Sequence, residues 1–383
     1  VTRRLAAAAA IALVLAAAAC GGHAHHAAQR APTQASAGLP LPAAAGPLGA
    51  VAHWRGGRVP VGTLLLDDGR RLWSVALDGT RRLLWTHPRL DPTGVAAGPG
   101  GNGVALAGEA VQGSAATGFL YLLGADGSVK TVDVARNGGT ISGPQFLRAP
   151  TQPTGPVRLY WIHELDASQF RQTRPWDWKQ VWLLDGTVRR RVTVHLRLDE
   201  YPYELHGYAG SPLFSLTTFR RDNSPTRDEV MFDNDSSGMA FSSLVSLGHF
   251  NPLVNTDLAG SVAWTGPRDA VVEVVQLGDP SGYQLRLYRV GCQYDGFHLV
   301  HMRSGIDFPS SRVWQLLPGG PHSVLVVGRG GDVWTSIDVR SGRAAPTRVA
   351  FAVGAWAFVQ PPVDTASLVG GNPGCSAYSW RFH

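Results

Sequence analysis

The densest group of residues able to do chemistry is His163, Glu164, Asp166, Asp199, Glu200 and Glu204. Two carboxylates about 5–10 Å apart across a cleft serve glycoside hydrolysis, one as acid and one as base or nucleophile. The competing reading is solvated loop charge. A second group lies in Phe170 to Lys179, where Arg174, Trp176 and Trp178 follow the strand around Trp161. Exposed Trp and Arg dominate binding hot spots, and an indole face stacks on sugars. Against that, Trp176 and Trp178 can simply pack on neighbouring structure. Asp233-Asn234-Asp235-Ser236-Ser237-Gly238 has carboxylates at odd positions of a Ca²⁺ loop, but Leu244 stands where such loops place a bidentate Glu. It reads as a polar turn.

Other chemistries lack their residues. There is no G-x-S-x-G elbow, no P-loop and no dinucleotide-binding glycine fingerprint between a strand and a helix. No cofactor and no metal are expected. His23, His25 and His26 sit in an Ala/Pro/Gly-rich stretch without the fixed geometry a metal site needs.

The N-terminus carries address information. Arg3-Arg4 precede an unbroken apolar run from Leu5 to Ala19, and Cys20-Gly21-Gly22 follows. A basic start, a short apolar core and a small-residue exit make a secretory signal. The run is shorter than the roughly 20 residues of a spanning helix. Ala17-Ala18-Ala19-Cys20 resembles a bacterial lipobox, with Ala17 where Leu is commonest. That resemblance implies cleavage before Cys20, lipidation of its thiol and anchorage at the extracytoplasmic face of a cell membrane; an ordinary secretory signal is the alternative. The expected organisation is a signal peptide over 1–19, a lipidated Cys20 with a flexible tether over 20–49, and a globular domain over 50–383. Cys292 and Cys375 are the remaining thiols. Outside the cytoplasm two such cysteines commonly pair, so a disulfide is expected, although the repeat described below sets them two units apart.

The chain has 383 residues, 44% hydrophobic and 16% charged, with 46 Gly and 26 Pro. That much apolar content excludes a disordered chain, and the absence of further long apolar runs excludes a polytopic membrane protein. Cleavage would remove Arg3 and Arg4 from a formal +6, leaving +4. Acidic and basic residues interleave, so the concentrated basic stripe of a nucleic-acid binder is missing. Lys130 and Lys179 are the only lysines among 34 basic residues. With the Ala, Gly and Pro load, this profile resembles secreted lipoproteins of actinobacteria.

These groups must be positioned by strands. After Ala50 the apolar runs are five to eight residues of Val, Leu, Ile, Trp and Tyr, broken by Gly, Asp, Pro and Asn. Beyond the signal, no stretch holds a 3.6-residue period over a dozen residues. Hairpins recur: Arg71–Leu77 with Asp78-Gly79, Gly118–Leu123 with Asp126-Gly127, Gln180–Leu184 with Asp185-Gly186, and Asp332–Val339 with Ser341-Gly342. Four strands per roughly 50 residues is the period of a β-propeller blade. The hairpins resemble those of TolB-like or WD40-like bacterial propellers.

An all-β propeller of seven four-stranded blades is therefore expected, with six or eight as alternatives and a pair of sandwiches as the competing fold. The register puts blades at 50–87, 92–135, 140–197, 202–248, 257–303, 309–352 and 353–383. A strand from 42–55 is expected to complete the last blade and close the ring. Ligands of such rings bind on the face where inter-blade loops converge, which would include the regions of Trp54, Trp161, Tyr203 and Trp264. The functional expectation is a non-catalytic binding or scaffold module for a protein, peptide or cell-envelope glycan. Its candidate contacts are Trp161, Arg174, Trp176, Trp178, Tyr203 and Trp264. The alternative is a carbohydrate-active hydrolase or lyase with the acidic group at the channel mouth.

Overall fold

The computed structural model describes residues 38–42, 46–49, 54–112, 115–149, 155–165, 178–196, 200–220, 225–233, 240–249, 258–275, 283–293, 296–307, 313–320, 322–328, 334–350 and 352–364. Within the stretch expected as tether, β1 (Leu39–Pro40) and a short helix, α1 (Gly46–Gly49), are formed. The chain then lays down β2 (Leu64–Asp67), β3 (Arg71–Val75) and β4 (Arg81–Thr86). A second group is β5 (Asp91–Ala97), β6 (Val104–Gln112), β7 (Ala115–Leu123) and β8 (Val129–Ala135). A third is β9 (Ile141–Leu147), β10 (Arg158–Glu164), β11 (Lys179–Asp185) and β12 (Val188–Val194). The fourth is β13 (Glu200–Gly207), β14 (Phe214–Arg220), β15 (Pro225–Asp233) and β16 (Ala240–His249). The fifth is β17 (Leu258–Trp264), β18 (Asp269–Val275), β19 (Tyr283–Gln293) and β20 (Gly296–Asp307). Last come β21 (Val313–Gly320), β22 (Ser323–Gly328), β23 (Trp334–Asp338), β24 (Ala344–Pro346) and β25 (Ala355–Phe358).

The result is an all-β propeller, and its blade count differs from expectation. Five sheets form among the described residues rather than seven blades. Four of them have four strands; the fifth has nine, because two consecutive antiparallel meanders fuse where β12 pairs in parallel with β16 through Thr193–Ala240 and Val194–Phe241. β1 adds to the same sheet at the other end of β12, pairing Leu39 with Arg189. The ring also closes differently. Among the described residues no strand forms in 42–55, and those of the last segment supply a single strand, β25, rather than a blade. Instead β25 pairs with β2, Leu64 opposite Phe358 and Asp67 opposite Ala355. A strand from the chain's far end thus completes the first sheet, in the order β25-β2-β3-β4. The innermost strands β25, β5, β9, β13, β17 and β21 then neighbour one another in that cyclic order.

The apolar surface is buried between sheets, as the strand period requires. Leu64, Leu65 and Leu66 are all fully buried because β2 lies between two neighbours. Leu64 and Leu66 pack with Leu325, Val327 and Trp334 of the last sheet, whereas Leu65 faces Leu72, Val95 and Leu106 on the other side. Consecutive side chains point to opposite faces of a strand, so one apolar run feeds two interfaces. Trp161 and Leu159 likewise close against Leu120 and Val132 of the second sheet. The hairpin glycines fit their turns: Gly79 and Gly127 take φ of 90° and 88°, a region open to Gly without steric cost. A Cβ on Gly79 would also collide with the Arg348 carbonyl oxygen.

Candidate functional site

The inner strands surround a cavity of about 550 Å³. Five of the six are irregular. The ladder shifts register in β5, β9, β13, β17 and β21, so each has extra residues unmatched by its neighbour. Such bulges bend a strand and re-aim side chains. In β13 the extra residue is Tyr203, between Pro202 opposite Thr218 and Glu204 opposite Thr217. Ordinary alternation would send Tyr203 and Glu204 to opposite faces. The bulge leaves both exposed, at 39% for Tyr203 and 54% for the Glu204 side chain, and both line the cavity.

One end of the channel is bridged by Gln360. Its backbone carbonyl accepts from Gly100 N–H at 3.1 Å, its side-chain oxygen accepts from Ala209 N–H, and its side-chain amide donates to the Trp264 carbonyl at 3.1 Å. These partners lie at or beyond the C-terminal ends of β5, β13 and β17, so one residue, through its side chain and its backbone carbonyl, ties three sheets. The N-terminal ends of β5 and β9 sit at the opposite end, which carries the charge. There Lys179 Nζ lies 3.1 Å from Glu164 Oε2, and Thr140 donates to the same oxygen at 3.1 Å. Glu164 and Lys179 are cross-strand partners in β10 and β11. Lys179 Nζ is also 4.5 Å from the Tyr203 ring centroid, 5.4 Å from Trp178 and 5.7 Å from Tyr201. Tyr203 stacks on Phe219 at 3.9 Å with the rings 10° apart.

Among the described residues, carboxylates outnumber cations at this entrance. Burial, then Asp91 directly across the strand pair, then Glu164, push the Glu109 carboxyl above its ordinary range. Burial and then Glu204 and Glu164 raise the Tyr203 phenol, which therefore stays a neutral hydroxyl. His206 Nε2 lies 3.7 Å from Glu204 and 3.0 Å from Thr217 Oγ1. Trp264, Trp356 and Phe358 belong to the inner strands bordering the cavity, but their side chains are buried.

Of the acidic group singled out in the sequence, Glu164 and Glu204 reach the channel. His163 does not: its Nδ1 lies 2.7 Å from Asp133 Oδ2, between the second sheet and the fused one. Glu200 is buried within β13, and Asp166 and Asp199 lie outside the described residues. Among the aromatics, Tyr203 lines the entrance and Trp178 stands beside it, edge-on to Tyr201 at 5.0 Å. Trp161 is fully buried and donates to Asp133 Oδ2 at 2.8 Å, so its indole offers nothing to a ligand. Trp264 is buried too, donating to Ser215 Oγ at 3.0 Å at the bridged end. Trp54 packs on Trp85 and donates to the Gly124 carbonyl at 2.6 Å. Arg174, Trp176, Cys20 and Cys375 lie outside the described residues, as do 234–238 of the acidic turn. Cys292 sits on β19 opposite Phe297. Among the described residues, no three His, Cys, Asp or Glu side chains converge as a metal site would need.

Sequence reasoning did not single out Lys179, His206, Gln360 or Asp133. A signal existed for the bulge, since Pro202 inside an apolar run marks an irregular strand. For Gln360 none did, because its partners are up to 260 positions away.

No family model and no curated protein matches the chain. Several solved structures resemble it in outline. A nidogen/laminin complex aligns at TM-score 0.46 with 9% identity, covering 79% of this chain and 99% of the other. A puromycin-hydrolyzing peptidase from Mycobacterium tuberculosis aligns at 0.44 with 18% identity, over 81% of this chain and 48% of that one. The β-propeller domain of Cps50 (Swd1) from Myceliophteria thermophila aligns at 0.43 with 12% identity, over 79% and 90%.

Proposed function

We propose that this chain is a lipid-anchored, extracytoplasmic binding module that takes a cell-envelope glycan into the entrance of its propeller channel. The observation that carries the reading is the bulge at Tyr203, which turns an aromatic and a carboxylate together into a cavity already lined by Glu164 and Lys179. Hydroxyl-rich ligands need several donors and acceptors beside an apolar surface, and the entrance supplies these with Glu164, Lys179, Glu204 and the exposed ring of Tyr203. Support for the anchor is the Arg3-Arg4 start, the apolar run and Ala17-Ala18-Ala19-Cys20; an acylated Cys20 would hold the domain at the membrane surface.

Titration calorimetry of the folded domain against envelope glycan fragments tests the ligand. Saturable binding is expected, weakened about tenfold by Tyr203→Ala or Glu204→Ala. Binding indifferent to both substitutions, or binding only to envelope proteins, would overturn it. Incorporation of labelled palmitate, lost in Cys20→Ala, tests the anchor. The second reading, a carbohydrate-active hydrolase, is favoured by one observation: Glu164 and Glu204 both line the channel. It requires sugar release that Glu164→Gln and Glu204→Gln abolish. Glu164 is engaged by Lys179 and Thr140, which favours holding over proton transfer.

A further inference from the structure

We infer that the pocket around Lys179 is an organic-ammonium subsite at the channel entrance, occupied at rest by the chain's own side chain and yielded to an ammonium group of the ligand. The inference rests on the channel being the binding site and narrows the ligand to one with a free amino group, such as an amino sugar.

The pocket has the parts that recognise an ammonium ion. Three ring faces, of Tyr203, Trp178 and Tyr201, lie 4.5–5.7 Å from Nζ, within the range where a cation is attracted to an aromatic quadrupole. One carboxylate, Glu164, supplies the countercharge at 3.1 Å, and Thr140 orients it. The occupant is also chemically particular. All but two of the chain's basic residues are Arg. A planar guanidinium suits bidentate pairing, whereas a compact ammonium suits a small cage with one carboxylate.

Geometry makes Lys179 a stopper as well. Phe219 covers one face of Tyr203 in a parallel stack, which leaves the ammonium on the other face. A ligand cannot use that ring while Lys179 stays. Lys179 has a flexible four-carbon stem and lines the cavity, so its head can leave without moving the backbone. The surroundings would draw a replacement cation. Among the described residues, Asp91, Glu109 and Glu204 stand at this end with Glu164, against Lys179 and an exposed Arg89 3.8 Å from Asp91. Burial first, and then Asp91 and Glu164, raise the Glu109 carboxyl.

The test uses tetramethylammonium chloride, with sodium chloride at equal ionic strength and neutral tert-butanol as controls. In Lys179→Ala the vacated cage should take the probe, raising the melting temperature saturably. Adding Glu164→Gln should weaken that apparent affinity by about tenfold. Equal responses to tetramethylammonium and to the controls, or no loss with Glu164→Gln, would overturn the inference. Wild-type protein gives a second measurement that needs no variant to fold. Acetylation by an activated ester, read by mass spectrometry, should favour exposed Lys130 over Lys179, and the probe should raise the Lys179 share. An unchanged ratio at saturating probe would count against it. Because the probe is not a glycan, this result can fail while glycan binding holds, and the reverse.

Discussion

The Gln360 side-chain amide donates to the Trp264 carbonyl at 3.1 Å, although 96 positions separate the two residues. The same side chain accepts from Ala209, and the Gln360 backbone accepts from Gly100. Three sheets are thereby tied at one end of the channel by a residue two positions beyond the strand that closes the ring. Gln360→Leu would leave the Ala209 N–H and the Trp264 carbonyl buried without partners. A stranded buried polar group costs about 1–3 kcal/mol. Urea unfolding should therefore show a loss of about 2–4 kcal/mol with an unchanged denaturant slope. A loss below half a kilocalorie would mean that water replaces the amide.

A second prediction concerns Asp133, whose carboxylate is buried between β8 and the fused sheet. It accepts from Trp161 at 2.8 Å, lies 2.7 Å from His163 Nδ1, and is met by Arg189. Removing one member of a buried charged set leaves the others uncompensated, at about 3–5 kcal/mol. Asp133→Asn should destabilise by that amount in chemical denaturation and lower Trp161 fluorescence burial, while Asp126→Asn on an exposed turn should do neither.

The same carboxylate makes stability depend on acid. Burial raises the Asp133 pKa, but the His163 hydrogen bond and charge, Arg189 and the Trp161 hydrogen bond outweigh it, holding the group below its ordinary 3.8. A folded pKa below the unfolded one means the unfolded chain binds the proton more readily. The stabilisation is then fully present above the unfolded pKa and fades as pH falls through the folded value. Unfolding free energy should drop as pH falls below about 3.8, and Asp133→Asn should flatten that slope. An equally steep slope in the variant would assign the acid effect to other carboxylates.

At the alkaline side Tyr208 is the group to watch. Burial pushes its phenol from 10.0 up to about 12. Here the folded value exceeds the unfolded one, so the stabilisation is complete below pH 10 and is lost as pH rises towards 12. Tyrosinate absorbance should show several phenols titrating late, since burial also raises those of Tyr121 and Tyr203, and Tyr208→Phe should reduce that late amplitude by one phenol and lessen the alkaline loss of melting temperature.

Much of the fold was legible because it is local. Leu64-Leu65-Leu66, the Asp78-Gly79 turn and Arg81–Trp85 are close in sequence, and strand period and turn chemistry act over such distances. The segments 92–135, 140–197, 202–248, 257–303 and 309–352 each hold one four-stranded meander to within a few residues. Tyr203 was named a candidate through the expected blade register, which put its region on the face where inter-blade loops converge; the structure places it instead in a bulge within β13.

The amino-acid sequence by itself determined that the described chain is built of hairpins whose two faces both need cover, and roughly where each hairpin lies. Only the tertiary structure decided that β25 joins β2, that β12 fuses two meanders, and that Glu164, Lys179, Tyr203 and Glu204 meet at one channel mouth. The physical reason is that a strand's period is written in its own neighbours. Which edges meet depends on the circumference that all the sheets jointly require, and no local stretch encodes that length.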